Sequence, residues 1–194
     1  MAIGHQVETQ NTAHFLHDYG SEQADLRRLY EQAKIDQWNA ATDIDWSVPL
    51  EGDGGLISDD LVDIHGTRFW DAMSEADRVE LNRRVTRWRL STLVAGEHGA
   101  MLLCSQLVNN VQGQDAKLFQ ATQVADEARH NEVLQRYLEL RLDGESYGLG
   151  GNVKEIFDTL LATPSWHLKT IGLQLGPGAF AVCLVRMLAE ALED

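Results

Sequence analysis

Apolar residues recur along this chain at spacings of three and four, and no stretch alternates with a period of two. Between the breaks it is rich in Leu, Ala, Glu, Gln and Arg, which lose little side-chain freedom in a helix. The pattern predicts one helix over about residues 21–41. An irregular stretch follows over 42–58, around Pro49 and the Glu51-Gly52-Asp53-Gly54-Gly55 cluster, and then a short helix over 59–69. Ser74 followed by Asp77 makes a capping-box-like start for a long helix from about Glu75 to Val111. Gly113 marks a turn, and Asp115 is placed to cap the next helix, which runs to about Leu142. Asn152 with Glu155 reads as a further start. Pro164 and Gly176-Pro177-Gly178 divide the remainder into short helices, one of them through Trp166–Gln174. The expectation is an all-α single domain over 1–194, with an irregular segment over 1–20 and a bundle built on a long antiparallel helix hairpin.

One polar residue interrupts the apolar stripe of the first long helix. The stripe reads Leu90, Leu93, Glu97, Ala100, Cys104, Leu107, Val111. A buried carboxylate without a partner is costly, so Glu97 should find a proton, a cation or a metal unless it escapes to solvent at the stripe's edge. The second long helix carries Asp126-Glu127-Ala128-Arg129-His130. Glu127 and His130 are three apart, so both project from one helix face and can reach one ion. An ExxH alone arises by chance in roughly one chain in four of this length. The hairpin joins the two signals. With a turn at about residue 113, position 97 lies opposite about position 129, roughly 24 Å from the turn. Glu97, Glu127 and His130 should therefore share one height. Two carboxylates and one His are half of a di-iron carboxylate site. His98 turns about 100° away from Glu97.

Composition narrows the function classes. Thirty acids against sixteen bases give a formal net charge of −14. That leaves no basic surplus for nucleic acid or for an anionic membrane surface. No apolar run is long enough to span a membrane, and the first twenty residues lack the basic start and apolar run of a secretory signal. The expected setting is cytoplasmic. Cys104 and Cys183, each inside an apolar stretch, read as small core residues rather than a disulfide. The five tryptophans read as packing residues, and Asp59-Asp60 and residues 190–194 as solvated acids. The glycine clusters lack the lysine of a phosphate loop, and no nucleophile elbow is present.

The hairpin resembles the ferritin-like di-iron carboxylate superfamily, and its DEARH form resembles the oxygenase-like branch. The similarity extends to Gly96-Glu97-His98-Gly99-Ala100, Gln106-Leu107-Val108-Asn109 and Ala116-Lys117-Leu118-Phe119, and to Gln37-Trp38-Asn39-Ala40-Ala41-Thr42-Asp43-Ile44-Asp45-Trp46. It covers roughly residues 25–175. The resemblance implies a ferritin-like helical bundle with a non-haem di-iron centre that activates O2 to oxidise a small organic substrate. It implies that Glu97 bridges the metals and that Glu127 and His130 are ligands. Asp126 would accept a hydrogen bond from a ligand His, and Arg129 would pair with buried carboxylates. Iron is the implied metal, with manganese or a mixed Mn/Fe pair as variants.

The family pattern includes a further Glu helix and a second ExxH. This chain has Gly176-Pro177-Gly178 in the first place and no second ExxH, so a fourth bundle helix is not expected here. Three arrangements remain open. A homodimer could pair two hairpins about a two-fold axis, each copy donating Glu97, Glu127 and His130. Alternatively, Glu31, Asp36 or His167 supplies the missing ligands. In the third arrangement the protein is a metal-free ferritin-like scaffold or protein-interaction module.

Overall fold

The computed structural model describes residues 4–48, 57–144 and 146–178, together with Cys183 and Arg186. The described residues are helical, without a strand. Two long helices dominate: α3 (Glu75–Asn110) and α4 (Gln114–Arg141). Before them come α1 (Ala24–Ile35) and the four-residue α2 (Arg68–Asp71), and after them α5 (Gly151–Ala162) and α6 (Trp166–Leu173). This is the all-helical bundle, built on a long hairpin, that the apolar spacing predicts.

The hairpin forms where the chain is least able to continue a helix. Gly113 adopts φ 91°, a conformation that L side chains rarely take. At the start of α3, the Ser74 hydroxyl accepts the Asp77 amide at 3.2 Å, as the capping pattern predicts. At its end, the Lys117 ammonium donates to the carbonyls of Val108 and Asn109 at 2.8 and 3.0 Å.

Asp115 departs from its expected role. The N-cap of α4 is Gly113, with no side-chain bond. The buried Asp115 carboxylate instead accepts from the Ser21 hydroxyl and from the Glu22 and Gln23 amides at 2.9–3.0 Å. It caps α1 from the neighbouring helix, where the local N-cap Gln23 makes no side-chain bond. The start of α1 is thereby pinned beside the start of α4, and Gln37, just beyond α1, meets Arg129. The two helices therefore run parallel.

Other boundaries moved for local reasons. The first helix is shorter than the predicted 21–41, because the Ser21 hydroxyl and the Glu22 and Gln23 amides go to Asp115 and Asn39 opens a turn. The predicted helix at 59–69 is a 3-10 turn at Asp59–Leu61 and then α2. Gly66 at φ 70° breaks it, and Thr67 caps the restart by accepting the Trp70 amide. The glycine cluster at 51–55 and the acids at 190–194 lie outside the described residues.

The main core packs α5 and α6 onto the C-terminal third of α3 through Leu103, Cys104, Leu107, Phe157, Leu161 and Leu173. Cys104 is buried as expected, but Cys183 is exposed. Trp70 is buried, whereas Trp88 is 53% exposed and does not serve as core. Lys169 is fully buried. It donates to Gln106 Oε1, to Asn11 Oδ1 at 3.3 Å and to the Leu161 carbonyl at 3.2 Å. Three oxygens for three N–H groups replace water and tie the N-terminal segment, α3 and α5 to α6. Burial holds its pKa below the ordinary lysine value. No described helix is long and apolar enough to cross a membrane.

Gly99 lets α5 approach α3. A Cβ there would stand 2.4 Å from Phe157 Cδ1. Gly99→Ala should therefore destabilise the protein by about 1–3 kcal/mol despite the better helix propensity of alanine. Urea unfolding measures it, and adding Phe157→Leu should recover part of the loss.

Candidate metal centre

Hairpin register brings Glu97 to His130. The His130 Nδ1 lies 3.3 Å from Glu97 Oε2 and 3.5 Å from Glu127 Oε2. One ligand atom from each of the three residues falls within 4.8 Å of the others. A few residues along, the Asn131 amide donates to the Val94 carbonyl at 2.8 Å. The pairs 97–130 and 94–131 are both centred within a residue of Gly113, as a straight hairpin requires.

The group is half-wrapped by protein. The side chains of Glu97 and Glu127 are 15% and 16% exposed, and that of His130 is 46% exposed. Charge and protons are distributed accordingly. Hydrogen bonds to Glu127 and Glu97 push the His130 pKa up to about 10, against the effect of burial. Burial and the neighbouring Glu97 raise Glu127 to about 7. Burial also works against ionisation of Glu97, but hydrogen bonds from His130 and Glu127 outweigh it and hold its carboxyl below the ordinary value. Without a cation, two carboxylates and an imidazole stay together by sharing protons. Cys104 feels the same field, and burial with the carboxylates of Glu127 and Asp126 pushes its thiol up to about 12. It is a packing residue, not a nucleophile.

The remaining candidates fall around this group or away from it. Asp126 gives its oxygens to Arg129 and, at 3.3 Å, to the Gln123 amide, rather than to His130. Arg129 pairs with Asp126, donates to Gln37 Oε1, and lies 5.7 Å from the centroid of the Trp38 ring. Arg129 is thus held by an acid, as the resemblance implies, but by the half-covered Asp126 at i−3. Glu31 stands apart on α1, its carboxylate paired with Lys34 and Arg27.

Trp38 was not legible as a site residue. Its ring stacks on His130 with centroids 6.3 Å apart and planes 24° from parallel. It lies beyond the end of α1, where no helical period links it to α4. The available signal was its place in the Gln37-to-Trp46 segment that carries the resemblance.

Replacing Glu97 by Gln keeps the shape and removes one charge. In the metal-free protein, the His130 pKa should fall from about 10 toward its ordinary value of 6.5, as measured by NMR titration of the imidazole protons. Because the folded pKa is raised, the stability held in this pairing is fully present below about pH 6.5. It is lost as pH rises through about 10. Glu97→Gln should flatten that dependence.

No curated protein and no solved structure matches the chain. The family described as P-aminobenzoate N-oxygenase AurF, a di-iron ferritin-like oxygenase family, matches residues 20–165. That span takes in α1, the whole hairpin, α5 and all three members of the carboxylate–imidazole group. By that match the chain belongs to the AurF family of ferritin-like oxygenases.

Proposed function

We propose that the protein is a non-haem di-iron oxygenase that uses O2 to oxidise a small organic substrate, with Glu97, Glu127 and His130 as metal ligands. The observation that carries this reading is the meeting of these three side chains from opposite arms of the hairpin, half-buried and within 4.8 Å. The donor set fits the group. Carboxylates and an imidazole suit iron, and their protons are what a cation would displace. Manganese or a mixed Mn/Fe pair suits the same oxygen-rich set. Glu97 would be the carboxylate shared between the metals, as the resemblance implies.

When bound, the metals supply redox electrons and open positions for O2. The chain's own contribution is placement and cover. Trp38 lies against one face of His130 and fixes the ring plane. Arg129, held by Asp126 and Gln37, keeps Trp38 in place through its guanidinium. Asn131 bonds the arms together next to the ligands. The exposed edge of His130 leaves one side of the group uncovered within a single chain.

A di-metal carboxylate site takes four carboxylates and two His in all. We place the second half on a second copy of the chain, paired about a two-fold axis at the open edge of His130. Glu31, already ion-paired on both sides, does not support completion within one chain.

Anaerobic loading with ferrous iron followed by elemental analysis tests this reading. About one iron per chain is expected in wild type. His130→Ala should lose most of it, and solution mass should show a dimer. Binding should release protons and tighten as pH rises, because His130 must give up its proton. Wild-type protein that takes up no metal would overturn the reading and leave a metal-free helical module. A strictly monomeric, metal-loaded protein would remove the shared site.

A further inference from the structure

The outer side of α6 is apolar and exposed. Leu168 and Ile171 are 56% and 55% exposed, and Leu175, just beyond the helix, is 77% exposed. Their spacing of three and four places them on one face. Ile156 on α5 is also exposed, one turn before Leu160. A Cβ at Gly172 would stand 2.4 Å from Leu160 Cδ2, so the two short helices are held tightly together beneath this face.

The inner side of α6 locates the face in the molecule. Trp166, Thr170 and Gln174 line a cavity of about 350 Å3 with Leu26, Phe119 and Gln120, and no residue around it is charged. Leu168, Ile171 and Leu175 lie about 130° around the helix from the first three, and so point away from the hairpin. Phe119 stands eleven residues before His130 on α4, about three turns along and within about 20° of the same face. The short helix α6 therefore crosses the side of α4 that carries His130. Its apolar stripe and the exposed edge of His130 look out on the same side.

Charge selects what this stripe meets. The chain has 30 acids and a net charge of −14, yet residues 159–178 contain no Asp or Glu. The lysine among them, Lys169, is fully buried. A basic partner is drawn to acids and finds none along this segment. Two copies of the chain repel each other through their acids, and an acid-free apolar stripe is where they can approach. A two-fold contact sets the same patch of each copy in one interface, which an uncharged stripe allows without a like-charge clash.

We propose that Leu168, Ile171 and Leu175, with Ile156, form the contact through which two copies of the chain pair. The contact extends the dimeric reading above and rests on it only in covering the His130 edge, since pairing through α6 needs no metal.

Sedimentation equilibrium of the full, metal-free chain over a range of concentrations tests the proposal. Wild type should be a reversible dimer. Leu168→Glu and Ile171→Glu should each weaken it at least about tenfold, because each sets an unpaired charge in the contact. Both positions are exposed, so neither change should lower the melting temperature of the monomer. Trp88→Glu, at an equally exposed apolar position on α3, should leave the dimer intact. Higher salt should tighten pairing, since it screens the repulsion between two acidic copies. Iron uptake by the same samples separates this contact from the oxygenase reading. A dimer broken by Ile171→Glu in a protein that takes up no iron would remove that reading and leave the contact standing. A dimer that survives both α6 substitutions, or one that loosens as salt rises, would overturn the contact. So would a wild type that is monomeric at every concentration; if Ile171→Glu then lowers its melting temperature, residues 179–194 cover the stripe instead.

Discussion

Gly113 turns the chain at φ 91° between helices of 36 and 28 residues, and that rotation decides which residues of the two arms share a height. A turn one residue longer would rotate every facing pair by about 100° or slide it by 1.5 Å. The register it sets puts Glu97 against Glu127 and His130, about three turns or more from any end of the two helices. The rest of the described structure serves this alignment. Asn131 bonds to the Val94 carbonyl across the arms, Lys117 closes the end of α3, and Asp115 locks α1 alongside α4. With α1 held parallel to α4, the segment after it delivers Trp38 to the face of His130.

The same alignment creates an electrostatic problem inside the bundle. Two carboxylates share a half-buried space, and burial disfavours both ionised forms. The structure answers with protons. Glu127 is raised to about 7, His130 to about 10, and Glu97 keeps its charge through the hydrogen bonds they provide. Such a group is balanced but not closed, since the His130 edge stays open. The proposed metal ions would take the place of those protons. Elsewhere the protein treats buried polarity differently. Lys169, fully enclosed, has an oxygen for each of its N–H groups and so carries a fixed structural role. The Gln120 amide oxygen, equally enclosed, has no such partner.

Much of this was readable from residue spacing. The long helices, the Ser74 cap, the glycine turn and the convergence of Glu97 with the ExxH follow from helical geometry alone, because each depends on residues in one helix or on counting from one turn. Expectations that depended on neighbours fared differently. Asp115 looked like the cap of its own helix and caps another, because the amides of Glu22 and Gln23 compete for the same carboxylate. Cys183 looked apolar by context but is exposed. The segment at 59–69 looked continuous but breaks at Gly66.

The sequence by itself therefore determined the helices, their hairpin and the three side chains that meet in it. Those follow from periodicity, a turn residue and a carboxylate out of place on an apolar face. Tertiary structure alone decided what surrounds them. Trp38 over His130, the parallel docking of α1, the buried ammonium of Lys169 and the uncharged cavity beside Gln120 each join residues from separate elements. No local period records such pairings, because they are set by the packing of whole helices against one another.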